Sequence, residues 1–275
     1  MGHVEWVQFA RVGHVPRAGE VVHAVEPFEE PAGGGAVAAV QLARLAGEAT
    51  LLSALGDDDH GRRSVERLGE LGVRVHAARL SAPTRRAITL LDDAGERTIT
   101  TLGARLEPRG DSAAVGWQDL RGVDGVYFTA GDETALRAAR AAARVLVASP
   151  RAGAVLATGV ALDALVMSAD DAIEQRAAAR EQADAALVVM TEGGRGGSYR
   201  SPTASGRWEP VALEGPPVDA YGCGDSFAAG LTYGLAAGMA VPQALALAAR
   251  CGAVCATGRG PYGRQLTAAD LSAET

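Results

Sequence analysis

The stretch DAYGCGDSFAAG, residues 219–230, sets glycines between two aspartates and runs straight into an apolar, alanine-rich segment. Helical spacing continues over residues 225–237, and Gly238 is placed to stop it. "YGCG" is then the turn that feeds a helix. The unpaired N–H groups of a helix's first turn, with its dipole, favour an anion there. Glycines let that backbone approach a ligand with no Cβ in the way. The junction suits phosphate, or the charge that grows on a phosphoryl group in transfer, lined by the amides of Gly222, Cys223 and Gly224. Asp225 would repel a phosphate. The task that justifies it is to accept a proton from an attacking hydroxyl, as a general base. Helix capping accounts for the same residue equally well from the local string.

Two further glycine-rich stretches bear on this reading. PAGGGAVAAVQLARLAG places Gly33 and Gly34 just before an alanine-rich helix over residues 36–45. MTEGGRGGSYR follows a strand over residues 186–190, and Thr191, Gly193, Gly196 and Gly197 there could line a nucleotide; a hairpin turn explains the string nearly as well. Apolar runs at 4–9, 49–54, 87–91, 125–129, 144–148, 164–167 and 186–190 alternate with helical spacing at 35–45, 61–71, 133–143 and 171–183. Strands alternating with helices predict βαβ units on a mostly parallel sheet. Residues 11–25 and 75–101 break the rhythm as short strands and turns, and DDAGE is a hairpin turn within the second. Such inserts are candidates for a lid over a site. No repeat or linker divides the 275 residues, so one domain is expected.

Composition narrows the function classes. The 48% hydrophobic fraction with 4% aromatics implies a core of Ala, Val and Leu. A net charge of −7 argues against a polyanionic partner such as nucleic acid. No apolar run is long enough to span a membrane and no signal peptide is visible. Three cysteines are too few for a disulfide framework, so a cytoplasmic, reducing setting is expected. The chain has no lysine, which excludes a Walker-A loop and a Schiff-base enzyme. No G-x-G-x-x-G follows the first strand, which disfavours a dinucleotide fold. The five histidines show no ligand spacing, and Cys251 and Cys255 are expected to be buried packing residues.

With the junctions in this order, the chain resembles the ribokinase-like (PfkB-type) carbohydrate kinases over nearly its full length. The C-terminal signature is carried by Asp219-Ala220-Tyr221-Gly222-Cys223-Gly224-Asp225, and the N-terminal one by Gly33-Gly34-Gly35 through Ala43-Arg44-Leu45. ALGDDDHGRRSVERLGELGV and VVMTEGGRGG are similar to further family segments. The resemblance implies a three-layer α/β sandwich with a mostly parallel central sheet and a small β lid. It also implies ATP- and Mg2+-dependent transfer of the γ-phosphoryl group to a hydroxyl, usually a sugar hydroxymethyl. Asp225 falls on the catalytic base, and Gly222, Cys223 and Gly224 on the anion hole. Thr191, Gly193 and Gly196 fall on the nucleotide loop. Asp171, with Ser168, falls on the motif that places magnesium through water, and Asp219 lies near a monovalent cation, such as K+, in many relatives.

Departures concern the acceptor. The family's sugar-gripping Asp aligns with Val7, beside Glu5, and the Asn after the glycine pair is Val37. Glu5, Gly33, Gly34, Val37, Asp132 and Asp225 are therefore the candidate substrate residues, with Glu5, Gln8 or Asp132 as replacements for the lost polar contacts. Arg85 and Arg86 in the second insert could contact substrate or phosphate by their planar forks, although solvated charge is the commoner role. Cys223 is either a small filler or a thiol acidified by its helix. The expected activity is a small-molecule kinase acting on a sugar. A nucleoside kinase of the same family and a non-catalytic nucleotide-binding protein are the alternatives. Pairing through the lids would give a homodimer.

Overall fold

The computed structural model describes residues 1–93, 95–213 and 215–272, apart from the side chains of residues 118 and 119. Its central feature is a six-stranded sheet. Strands β7 (Gly125–Phe128), β8 (Val145–Ala148), β9 (Leu162–Ser168) and β10 (Ala185–Thr191) are parallel, and the antiparallel β11 (Gly197–Arg200) and β12 (Ser205–Trp208) extend its edge. A parallel pair, β3 (Ala49–Gly56) and β4 (Val73–Leu80), continues beyond β7. Residues 1 and 2 splice the two together: Gly2 N donates to Leu52 O at 3.2 Å, and Thr129 N to Met1 O at 3.0 Å.

The apolar runs of the sequence are strands buried on both faces. Alternate residues feed different cores. Tyr127, Val147, Ala164, Val166, Leu187 and Val189 pack under the helices α1 (Gly34–Ala46), α5 (Cys223–Ala236) and α6 (Val241–Ala256). Phe128, Leu146, Ala148, Leu165 and Met167 pack on the other face, against α3 (Glu133–Ala142), α4 (Ala172–Glu181) and the 3-10 turns at Pro150–Thr158. This is the expected three-layer sandwich. Phe128 is fully buried, and truncating such a side chain to Ala costs about 3–5 kcal/mol. Small residues set the spacing of α5 and α6, because a Cβ on Gly230 would fall 2.7 Å from Cys251 Sγ. Cys251 is thus a packing residue, as expected.

A separate four-stranded sheet stands over one end of this sandwich. Its order is β2 (Val25–Ala32), β1 (Glu5–Arg11), β5 (Arg86–Leu91) and β6 (Arg97–Leu102). Register puts Val7, Phe9, Ala87, Thr89, Leu91, Arg97 and Ile99 on one face. That face is anchored by Val7, Phe9 and Ala87 packing with Val37, Val40, Leu55 and Tyr221. The expected insert at 75–101 divides: Val73–Leu80 is β4, between β3 and the helix α2 (Asp59–Glu70), and only Arg86–Leu102 forms the hairpin. In its turn Asp92 N donates to Glu96 O and Gly95 N to Asp92 O, both at 3.0 Å, while residue 94 lies outside the described residues. The first insert, 11–25, is mainly a connection between β1 and β2. A short α7 (Ala268–Ser272) ends the described chain.

Candidate active site

Loops at the carboxyl ends of parallel strands are where α/β sheets gather ligands. Here the ends of β7, β8, β9 and β10 bring Thr129, Arg151, Ser168 to Asp171, and Thr191 to one side of the sandwich. The amino ends of α1 and α5 face them. Gly33 (φ +91) and Gly222 (φ +82) precede these helices in a backbone conformation that L side chains rarely adopt. Ser226 N closes on Gly222 O at 2.8 Å, so the earlier amides of α5, at Gly224 and Asp225, have no partner within the helix. A Cβ on Gly224 would meet nothing within 4 Å, which leaves the backbone open to the cleft.

Asp225 is not a cap. No side chain makes a capping hydrogen bond to α5, and the carboxylate sits inside the first turn. It turns toward α1, where a Cβ on Gly34 would fall 2.9 Å from Asp225 Oδ1 and 3.1 Å from Thr129 Oγ1. Thr129 Oγ1 is buried without a hydrogen-bond partner. Burial raises the pKa of Asp225 to about 6 against the opposing charge of Arg151, and Glu174 adds to the rise. Some solvent access remains on the cleft side. Two glycine-to-helix junctions far apart in sequence therefore meet around one carboxylate, the geometry a general base at a phosphoryl site needs.

Glu5 projects from β1 into the same region and is 6% exposed. Arg85 Nε stands 3.4 Å from Glu5 Oε2, yet neither atom has a hydrogen-bond partner. Burial pushes the Glu5 carboxyl up, opposed by Arg85, Arg151 and Arg105. Gly33 lies against His3, whose Cδ2 would be 3.0 Å from a Cβ there. Sequence reasoning missed Arg151, Arg105, Arg97 and His3. Arg151 follows β8 directly, so the rule on strand ends could have singled it out; the other three carry no local signal.

Several expected site residues have different work. Val37 is fully buried and lines no cleft; a Cβ on Gly222 would fall 2.9 Å from its Cγ1, so it supports the turn from beneath. Val7 is equally buried. Asp132 is the N-cap of α3, accepting from Ala135 N at 2.8 Å and Gly110 N at 3.0 Å. Asp171 is the N-cap of α4: its Oδ1 accepts from Ile173 N and Glu174 N, and its Oδ2 pairs with Arg151. Glu174, unnoticed in the sequence, accepts from Arg151 Nε at 2.6 Å and from Ser168 N at 2.8 Å. Ser168 Oγ accepts from Asp170 N at 3.2 Å. These residues do not fit a protein-held magnesium ion, because Asp171 and Glu174 are both turned onto a guanidinium. Among the described residues no three His, Cys, Asp or Glu side chains cluster as metal ligands.

Asp219 Oδ1 accepts from Tyr221 N at 2.8 Å and Oδ2 from Gly260 N at 3.1 Å, tying the loop after α6 to the glycine turn. A hydrogen bond with Cys255 and burial push the Cys223 thiol well above its usual range, which favours the small-filler role over an acidified thiol. The loop at 192–196 is the turn of the β10–β11 hairpin, in register Thr191↔Gly197. Thr191 Oγ1 reaches Met167 O at 3.4 Å. Gly193 (φ +57) and Gly196 (φ +83) make that turn, and a Cβ on Gly196 would fall 2.1 Å from Trp208 O. Arg195 pairs with Asp170 at 2.8 Å, which joins the hairpin turn to the loop after β9.

A sequence model of the pfkB family carbohydrate kinases matches residues 7–147 and 149–267. An ATP-dependent ribose-1-phosphate kinase of Halopiger xanaduensis is 30% identical over 93% of this chain and 90% of its own length. A fructokinase of Klebsiella pneumoniae is 28% identical over 84% of this chain and 87% of its own. Among solved structures, a ribokinase from Thermotoga maritima superposes with a TM-score of 0.75 at 20% identity, covering 99% of this chain and 96% of the other. The Arabidopsis thaliana ribokinase complexed with ribose and ATP gives 0.75 at 17% identity, with 99% and 96% covered. At these identities the superpositions establish the fold.

Proposed function

The chain belongs to the pfkB family of carbohydrate kinases, phosphotransferases that act on an alcohol group, and from that premise we propose the reaction its cleft performs. The acceptor is a sugar or sugar-like molecule, and ATP is the donor. As the acceptor hydroxyl oxygen forms its bond to the γ-phosphorus, the bond from that phosphorus to the β–γ bridging oxygen breaks. ADP leaves, and the hydroxyl proton passes to Asp225. The amides of Gly222, Cys223 and Gly224 form the anion hole for the moving phosphoryl group, where one such donor is typically worth ~3 kcal/mol. Gly224 N is unpaired within the helix, and Cys223 N makes a 3.5 Å turn bond to Ala220 O. Arg151, held by Asp171 and Glu174 and close enough to oppose the raised pKa of Asp225, supplies positive charge on the opposite wall. The nucleotide lies along the hairpin turn at Thr191, Gly193 and Gly196, which Arg195 and Asp170 join to the loop after β9.

The observation that carries this reading is Asp225: a partly buried, non-capping carboxylate in the first turn of α5, close beside Gly34. Replacing it by Asn keeps the shape and removes the base. Turnover with ATP and a sugar acceptor should fall by at least ~10²-fold while nucleotide binding by calorimetry persists. Unchanged turnover in Asp225→Asn would reject the reading. A base pocket for a nucleoside gains nothing from Val7 and Val37, since both are fully buried rather than lining the cleft.

Two subsidiary parts of the proposal have their own checks. The outer face of the four-stranded sheet exposes Ile88 and Leu102 at 36% and 37%, on strands flanking an exposed edge. A second copy covering this face would give a dimer by light scattering, and Ile88→Glu a monomer. A monovalent cation beside Asp219 should make turnover depend on K+ rather than on a bulky organic cation. Three free thiols, and no helix among the described residues long and apolar enough to cross a membrane, fit a cytoplasmic kinase.

A further inference from the structure

The acceptor end of the cleft is built from charges that a neutral sugar does not need. The two positions where the family presents polar sugar contacts, Val7 and Val37, are 0% exposed and belong to the core. In their place three guanidinium groups from separate parts of the chain act electrostatically on Glu5 and His3, Arg85 at 3.4 Å from Glu5. Arg85 precedes β5, Arg105 follows β6, and Arg151 follows β8. Arg105 Nη1 donates to Arg151 O at 2.8 Å, which places these two side by side. Arg97, on the cleft-facing side of β6, reaches Ala220 O in the glycine turn, at the phosphoryl-transfer end.

The pairing of these cations is uneven. Arg151 is paired with Asp171 and Glu174, and Arg105 with Glu107 at 2.6 Å. Arg85 has only Glu5, at 3.4 Å and without a hydrogen bond, so its buried Nε has no acceptor and Glu5 Oε2 has no donor. His3 Nδ1, 8% exposed as a residue, has no partner either. An ion pair this deep normally completes its hydrogen bonds, because a buried unsatisfied group carries a large desolvation cost. A dianion seated on Arg85 would complete the set: the guanidinium fork matches a phosphate, and a hydroxyl beside that phosphate can donate to Glu5. His3 shows the sign of the local field. Burial and the three guanidinium groups, Arg105 first, hold its pKa at about 3.

We infer that the acceptor is itself anionic, a sugar carrying a phosphate monoester. The phosphate is held by Arg85 in the field of Arg105 and Arg151, and the acceptor hydroxyl lies over Gly33 and Gly34 toward Asp225. This rests on the kinase reading for the hydroxyl, while the anion site stands on the arginines alone. The test compares initial rates with MgATP for ribose, ribose 1-phosphate, ribose 5-phosphate, fructose, fructose 6-phosphate and ribonate. Calorimetry of the same compounds without nucleotide accompanies it.

A phosphorylated acceptor should exceed its neutral parent at least ~10²-fold in kcat/KM, and its KM should rise with ionic strength. Arg85→Gln should raise that KM about 10- to 100-fold with kcat within about 3-fold, and Arg85→Lys should recover part of the loss. Because Arg85→Gln leaves Glu5 buried without its cation, the paired variant Arg85→Gln/Glu5→Gln serves as the folding-neutral version, checked by its melting temperature. Equal rates for neutral and phosphorylated sugars, or an equal loss for both in Arg85→Gln, would overturn the inference. So would preference for ribonate, which would make the ligand a carboxylate. Sugar-phosphate binding that disappears in Arg85→Gln, with no turnover of any compound, keeps the anion site and rejects the kinase reading. Turnover of ribose alone does the reverse.

Discussion

Two kinds of glycine-rich turn look alike on paper and differ in what their glycines avoid. At the amino ends of α1 and α5, a Cβ on Gly34 would meet Asp225, one on Gly222 would meet Val37, and one on Gly224 would meet nothing. In the β10–β11 hairpin, a Cβ on Gly196 would strike the carbonyl of Trp208, and one on Gly197 its ring. The first turn keeps side chains away from a carboxylate and from open cleft. The second keeps them away from a neighbouring strand. Glycine at a turn is therefore informative about function only when what it makes room for is a reactive group or empty space.

The sharpest way to break this distinction is Gly196→Ala. With φ +83 and a contact of 2.1 Å, it should cost about 3 kcal/mol or more in a thermal melt. The kcat of the folded fraction should change little. A large loss of kcat at unchanged stability would move the hairpin from scaffold to chemistry. Gly34→Ala should show the converse. Its Cβ presses on Asp225 Oδ1 at 2.9 Å with no φ penalty, so kcat should fall about 10- to 100-fold, with stability within ~1 kcal/mol.

A pH series sharpens the role of Asp225. Its folded pKa of about 6 lies above the ordinary carboxylate value, so the acid must lose its proton to serve as base. The kcat/KM should rise with pH and level off above about 6. The same shift works against the fold: the native state holds this proton more tightly than the unfolded chain, so stability falls as pH rises from about 4 to 6. Asp225→Asn removes that burden and should stabilise the protein at pH 7 by about 1–2 kcal/mol, discounted for the residual exposure. The smallest effect belongs to Gly193→Ala, where φ is +57 and the nearest atom is 3.8 Å away. A loss of ~1 kcal/mol is expected, with a few-fold rise in the KM for ATP because the turn lines the proposed nucleotide site.

Aspartates near helix starts show how one residue of register separates roles. Asp58, Asp132 and Asp171 stand at N-cap positions and accept amide hydrogen bonds from their helices. Asp225 is the third residue of α5 and makes no such bond. In sequence all four precede or begin a helical pattern; the substrate role for Asp132 rests on replacing lost polar contacts, and the metal role for Asp171 on the family resemblance. The boundary that distinguishes a cap from a base depends on where Gly222 starts the helix, and sequence patterns locate such boundaries only within a few residues.

Much of the fold was legible. Period-two and period-3.6 apolar patterns recovered the parallel strands β7 to β10 and the helices α1 to α5, because these patterns record which face each element buries. Residues 75–80 read as part of the lid because β4 looks like one more short strand; nothing local in VRVHAARL says that its partner is β3. The short β11 and β12 left no period long enough to read.

By itself the sequence determined the alternation of strands and helices, the glycine junctions and the acid Asp225 beside one of them, since each depends on neighbours within a turn or two of chain. Tertiary structure decided that Val7 and Val37 are core, that Asp171 faces a guanidinium, and that Arg85, Arg105 and Arg151 converge on Glu5. Those outcomes join residues separated by tens to hundreds of positions, and an arginine's string does not encode which buried carboxylate lies within reach of its fork. The chemistry is local and written in the chain; the charge that selects the acceptor is assembled only when the chain folds.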